Sequence, residues 1–177
     1  ASITIAQAVL KDKKMDTILR QLTELGMTEW HPFFGERSVP TPTPGKNSAK
    51  VERWQRIVRE AMKQCGRSVL PIIHPPLSLG EIMVASDGYD EKILFWENAT
   101  DPVDLLREKE TTPKSIMVII GPEGGAGRVL EQVHGGGRHA GQAPEVVQGR
   151  GVGEVVGVLL DLQGELPVGA ALCRHDG

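Results

Sequence analysis

Cysteine is nearly absent from this chain: Cys65 and Cys173 are the only two in 177 residues. They are too few and too far apart for a zinc site or a disulfide framework, so a reducing, cytoplasmic compartment is expected. Long apolar runs are missing as well. Nothing approaches the ~18 residues that would cross a bilayer, and no signal peptide is visible, so the reading is a soluble intracellular protein with no membrane partner. Charge of one sign is also lacking, the net value being −3. That balance forces no nucleic-acid partner but leaves room for a local basic face. The sharpest absence is regional. Residues 126–177 contain no Lys, Ile, Ser or Thr, yet hold 12 of the chain's 21 glycines. The boundary near residue 125 is a true break in composition.

Just before that break lies the most informative stretch, IMVIIGPEGG. The apolar run from Ile116 to Ile120 predicts a strand buried on both faces of a parallel sheet. It stops at a loop of Gly121, Pro122, Glu123, Gly124 and Gly125. Such a loop at the carboxyl end of a buried parallel strand is where α/β proteins hold small molecules, because glycine lets a ligand approach the backbone. A plain strand-to-helix turn is the other reading of the same five residues.

The front of the chain alternates strand and helix. Ser2–Leu10 reads as a strand. Met15, Ile18, Leu19, Leu22 and Leu25 form a helical stripe that Asp12 can cap and Gly26 can end. Met27–Phe34 reads as a strand despite Pro32, and VPTPTPGKNS as a Pro-rich loop. From Ala49 to Gly66 the pattern is strongly helical: Val51, Trp54, Ile57, Val58, Ala61, Met62 and Cys65 share an arc of about 140°. Arg53, Arg56, Arg59, Lys63 and Arg67 fall within about 120° on the other side, an arc that suits either solvent or phosphate groups. VLPII (Val69–Ile73), LGEIMVA, KILFWE (Lys92–Glu97), PVDLLRE and IMVII follow as strand, helix, strand, helix, strand. These β–α repeats predict a parallel sheet with helices on both faces.

Five segments in order, TELG (Thr23–Gly26), GERS (Gly35–Ser38), ERWQRIVREA (Glu52–Ala61), QCGR (Gln64–Arg67) and GPEGG, resemble the RsmE family of small-subunit ribosomal RNA methyltransferases over roughly residues 2–125. The resemblance implies a SPOUT-type, α/β-knotted fold working as a homodimer. It implies transfer of a methyl group from S-adenosylmethionine to N3 of a uridine in 16S rRNA. By the same resemblance, Ile120, Gly121, Pro122, Glu123, Gly124 and Gly125 line the cofactor pocket. Arg37, Arg53, Arg59, Lys63, Gln64 and Arg67 lie toward the RNA. Methyl transfer is mostly a positioning task, and cations would stabilise the anion left when the N3 proton departs. Arg37 or Arg67 suits that role; Glu123 either accepts the proton or binds loop amides.

The chain departs from the family pattern in three ways. The family's N-terminal PUA-like barrel is expected to be absent, which would weaken RNA binding more than cofactor binding. Arg20-Gln21-Leu22 stands where the family has QKx, moving a basic charge by one position, about 100° around a helix. Residues 126–177 show nothing like the SLGxRILRxETA motif that completes the pocket and the knot; a shifted reading frame or a natural replacement explains both the mismatch and the composition. QGRGVGEVVG has GxGxxxG spacing and is no dinucleotide fingerprint, and GPEGGAGR lacks the P-loop's second glycine and Lys-Ser/Thr. His134 and His139 have no further ligands nearby, so no metal site is expected. Two functional readings follow: an active methyltransferase whose tail closes the pocket, with VVGVLLDL (Val155–Leu162) as a dimer-facing helix, or a catalytically impaired remnant that at most binds RNA or dimerises.

Overall fold

A computed structural model describes residues 2–10, 12–35, 46–96, 113–121 and 145–148. Its elements are β1 (Ser2–Ala8), α1 (Asp12–Glu24), β2 (Glu29–Phe34), α2 (Lys46–Cys65), β3 (Ile72–Ile73), β4 (Leu77–Ser78), α3 (Leu79–Ser86), β5 (Glu91–Trp96), β6 (Ser115–Ile120) and β7 (Glu145–Gln148). The seven strands form one sheet in the order β3-β2-β1-β6-β5-β7, with β4 also on the outer side of β2. Every pairing is parallel.

The central pair is β1 and β6, in register from Ser2↔Ser115 to Gln7↔Ile120. Both strands are buried on either face after their first residue, which is why each reads as a nearly unbroken apolar run. Two cores result. Ile3, Ile5, Trp30, Ile93, Phe95, Ile116, Val118 and Ile120 meet α1 and α2 through Leu19, Leu22, Trp54 and Val58. On the other face Ala6, Phe33, Leu94, Met117 and Ile119 meet α3 through Leu79 and Ile82. Helices therefore cover both faces, as the β–α repeats predict.

Local chemistry sets the element ends. Gly26 takes a φ of 92°, while Gly26 N–H donates to Thr23 O and Met27 N–H to Leu22 O. This pair of bonds closes α1 as a Schellman motif, with Met27 and Leu22 both buried. Met27 is spent on that closure, Thr28 donates its N–H and hydroxyl to Ile3 O, and β2 begins at Glu29 rather than Met27. Pro32 is tolerated inside β2 for a geometrical reason. Trp30 O accepts from His74 N and Phe33 O from Val9 N, so the even positions of β2 face the β3–β4 side. There the ladder is interrupted between Ile73 and Leu77, and a missing N–H costs nothing.

The strand expected over Val69–Ile73 is reduced to Ile72–Ile73. Pro71 cannot donate to a ladder, and Val69 and Leu70 remain 67% and 51% exposed. Ser78 and Glu81 form a reciprocal capping box that starts α3. The PVDLLRE helix and VVGVLLDL lie outside the described residues. β7 was not anticipated: Glu145–Gln148 of the glycine-rich tail pairs with Ile93–Trp96 of β5.

At the amino edge, Asp90 Oδ2 accepts from the backbone N–H groups of Lys114 and Ser115 at 2.9 and 3.0 Å. These bonds, Ser115's first, hold its pKa below the ordinary 3.8. A carboxylate depressed in the folded state adds stability that is present above pH 3.8 and is lost as pH falls through the lower folded value. Asp90→Ala should therefore lower the thermal midpoint at pH 7, and the gap to the parent should narrow in scans run toward pH 3.

Candidate functional site

In an open parallel sheet the chain leaves the carboxyl ends of the strands, and a crevice forms where neighbouring strands connect in opposite directions. That point lies between β1 and β6. The chain passes from β1 outward to β2 and β3, whereas from β6 it goes past β5 to β7. The carboxyl ends here are Ala8 on β1 and Ile120 followed by Gly121 on β6. The glycine-rich loop thus departs from the switch point itself, and the pattern that singles it out in sequence coincides with the topology.

One polar side chain, not anticipated from sequence, lies at this edge. Gln7 is paired with Ile120 across the central ladder and is 1% exposed. Its Nε2 donates to Ala8 O at 3.1 Å, while its Oε1 is buried with no hydrogen-bond partner among the described residues. A buried acceptor left unpaired costs about 1–3 kcal/mol, so this one marks a place where a donor fits. Its only sequence signal is an amide inside an apolar strand.

The second sequence-derived feature is the basic arc of α2. Val51, Trp54, Ile57, Val58, Ala61, Met62 and Cys65 turn inward as the wheel predicts, and Arg53, Arg56, Arg59, Lys63 and Gln64 turn outward. Arg53 is ion-paired with Asp16 of α1. Arg56 and Arg59 stand exposed near the middle of a 20-residue helix.

Arg67 does not join that arc. It follows Gly66, whose φ of 70° closes α2, and its guanidinium folds onto the end of α1. Nη1 donates to Thr23 O at 2.6 Å and Met27 O at 3.2 Å, and Nη2 to Gly26 O at 3.4 Å and Met27 O at 3.2 Å. Burial pushes its pKa down, opposed in part by Cys65, though an arginine stays charged regardless. These carbonyls precede β2, so Arg67 sits at the amino edge. A helix of 20 residues is about 30 Å long, which separates Arg67 from the edge that carries Gly121. The structure thus places Ile120 and Gly121 at the switch point and Arg67 at the amino edge of the sheet. Arg37, Pro122, Glu123, Gly124 and Gly125 lie outside the described residues.

A further cluster escaped the sequence reading: Glu29, His31 and His74, whose ligating atoms lie within 4.8 Å of one another. Burial, and next the neighbouring His74, lower the pKa of His31 against the opposing pull of Glu29. Glu29 and His31 are separated from His74 by over 40 positions, and only the β2–β3 pairing joins them. Among the described residues no helix is long and apolar enough to cross a membrane.

A family model described as an RNA methyltransferase domain matches residues 1–128, stopping where the composition changes. The chain is 38% identical over 138 residues to a ribosomal RNA small subunit methyltransferase E of Aquifex aeolicus, covering 74% of this chain and 55% of the relative. It is 34% identical over 125 residues to the protein of that name from Synechocystis, covering 70% and 40%. The chain spans about half the length of the curated relatives it matches. Among solved structures, a ribosomal RNA small subunit methyltransferase E from Neisseria gonorrhoeae bound to S-adenosyl methionine superposes with a TM-score of 0.75. The two are 23% identical, over 92% of this chain and 66% of the other.

Proposed function

The chain belongs to the RNA methyltransferase family that the RsmE proteins represent and has its SPOUT-type parallel α/β fold, and on that premise we propose that it methylates a base of small-subunit ribosomal RNA, at N3 of a uridine in 16S rRNA. S-adenosylmethionine is the proposed donor. The observation that supports the reading is the position of the end of β6, where Ile120 and Gly121 stand at the switch point between β1 and β6.

The residues at that edge fit such a ligand. Gly121 presents backbone with no Cβ in the way, and Gln7 offers a buried acceptor lacking a donor among the described residues. S-adenosylmethionine carries amino and adenine N–H groups of the matching kind, and when bound it supplies an electrophilic methyl group. The protein's part is to hold the uracil in line with that methyl and to manage the N3 proton. Arg37 lies two residues beyond Gly35 at the carboxyl end of β2, and Glu123 lies two beyond Gly121. On the strength of the family resemblance, Arg37 is assigned to stabilising the uracil anion and Glu123 to the proton. Arg53, Arg59, Lys63 and Gln64 on the outer face of α2 are assigned to RNA phosphates, with Arg53 already steadied by Asp16. A cytoplasmic homodimer is the proposed working form.

The direct test incubates the chain with unmodified 16S rRNA and methyl-labelled S-adenosylmethionine, then digests the RNA to nucleosides. Label in N3-methyluridine is the expected product. Label in another nucleoside contradicts the assigned atom. RNA that is bound but unlabelled favours the impaired remnant, in which residues 126–177 do not replace the missing pocket motif.

A further inference from the structure

We propose that Glu29, His31 and His74 form a binding site for one divalent transition-metal ion, with zinc the best match to the donor set. The site lies on the opposite side of the molecule's functional edge, in the amino-terminal half of β2, and is independent of methyl transfer.

The placement follows from strand geometry. Positions 29 and 31 alternate to the same face of β2. His74 comes directly after β3, where its backbone N–H donates to Trp30 O at 3.0 Å. That bond fixes its side chain beside the other two. Glu29 Oε2 stands 3.0 Å from His74 Nε2 and 3.7 Å from His31 Nε2. Donors set tetrahedrally at about 2.1 Å from a zinc ion stand about 3.4 Å from one another. These two separations bracket that value, so three donors from β2 and the residue after β3 already converge on a volume of the right size.

The imidazoles are stacked, with ring centroids 3.8 Å apart and planes inclined by 11°. Two parallel rings cannot both aim a lone pair at one ion, so binding requires one of them to turn about its Cβ–Cγ bond. That torsion has broad wells in histidine, which makes the adjustment cheap. Access is open: the side chains of Glu29 and His74 are 33% and 32% exposed, while that of His31 is 11% exposed. Three protein ligands leave a fourth position for water. Two imidazoles and one carboxylate, with no thiolate, suit zinc, cobalt or nickel better than magnesium or calcium.

Such an ion would clamp a short edge of the sheet. β3 is two residues long and meets β2 only at Glu29↔Ile72 and Trp30↔Ile73. A ligand bridge from β2 to His74 fastens that edge.

The test uses the full chain, stripped with EDTA, desalted and titrated with zinc chloride by calorimetry, with thermal unfolding run in parallel. One equivalent of zinc should bind and raise the unfolding midpoint. Loss of a supporting group around a metal costs roughly 10–100-fold in affinity, so removing a ligand should cost at least tenfold. His74→Ala and the near-isosteric Glu29→Gln are each expected to show that loss, and the second keeps the packing around His31 intact. Cobalt in place of zinc should give visible absorption bands of a tetrahedral site in the parent and not in the variants. Absence of saturable zinc binding by the parent overturns the proposal. So does zinc affinity unchanged in both variants, which would assign the ion to the tail histidines His134, His139 and His175 instead.

Discussion

Replacing Trp30 by alanine is expected to cost about 3–5 kcal/mol of stability, the range for removing a large aromatic from a core. Trp30 is fully buried on β2 and meets Trp54 of α2 edge-on, with ring centroids 4.8 Å apart and planes at 83°. Such a pair adds about 0.5–1.5 kcal/mol beyond the area it buries. It is also the joint between the sheet and the helix that carries the arginine arc, so its loss loosens two proposed functions at once. Trp30→Phe is the informative control. It keeps an aromatic face for Trp54 and removes an indole N–H that is buried without a partner among the described residues. The cost should then fall well below that of alanine, because deleting an unsatisfied donor offsets part of the lost packing. Urea unfolding of the three proteins at one pH reads the difference.

Arg67→Ala is expected to cost about 2–3 kcal/mol, given that hydrogen bonds to a charged group contribute about 1.5–3 kcal/mol each and are not additive. The guanidinium serves the carbonyls of Thr23 in the last turn of α1 and of Gly26 and Met27 in the turn that follows it. Lysine should rescue little, since a point charge cannot fork to three acceptors. Arg59→Ala sets the contrast. That side chain is exposed on α2, so its replacement should leave the unfolding midpoint within about 0.5 kcal/mol of the parent. It should instead weaken RNA binding and reduce the slope of log affinity against log salt by about 0.7. If Arg67→Ala lowered RNA affinity at unchanged stability, its assignment as a cap would be wrong.

These two arginines show where sequence and structure part. A helical wheel places Arg67 with Arg53 and Arg59 because it carries the helix through Gly66. The positive φ of that glycine ends the helix instead, and the next residue points elsewhere. The long elements were legible because their burial imposes a period. α1 and α2 show one apolar stripe each, and β1 and β6 are apolar throughout because both faces are covered. β3 shrank because Pro71 cannot donate to a ladder. β7 was invisible because Glu145–Gln148 is a short segment amid glycines, and only its pairing with β5 marks it as a strand.

The site divides in the same way. The loop after Ile120 could be read locally, since glycines following a buried strand are a local signal. That it leaves from a switch point depends on strand order, which no local pattern encodes. The meaning of Gln7 depends on its neighbour Ile120, 113 positions away. The Glu29, His31 and His74 cluster depends on strand pairing entirely.

On the proposed function, the crevice between β1 and β6 holds S-adenosylmethionine in this chain. Calorimetric titration of the purified protein tests it most directly. The expected result is saturable binding at one site per chain, abolished by Gly124→Val and weakened by Gln7→Leu, which removes the buried acceptor. A chain that unfolds cooperatively, and so is folded, yet shows no heat of binding would contradict the claim.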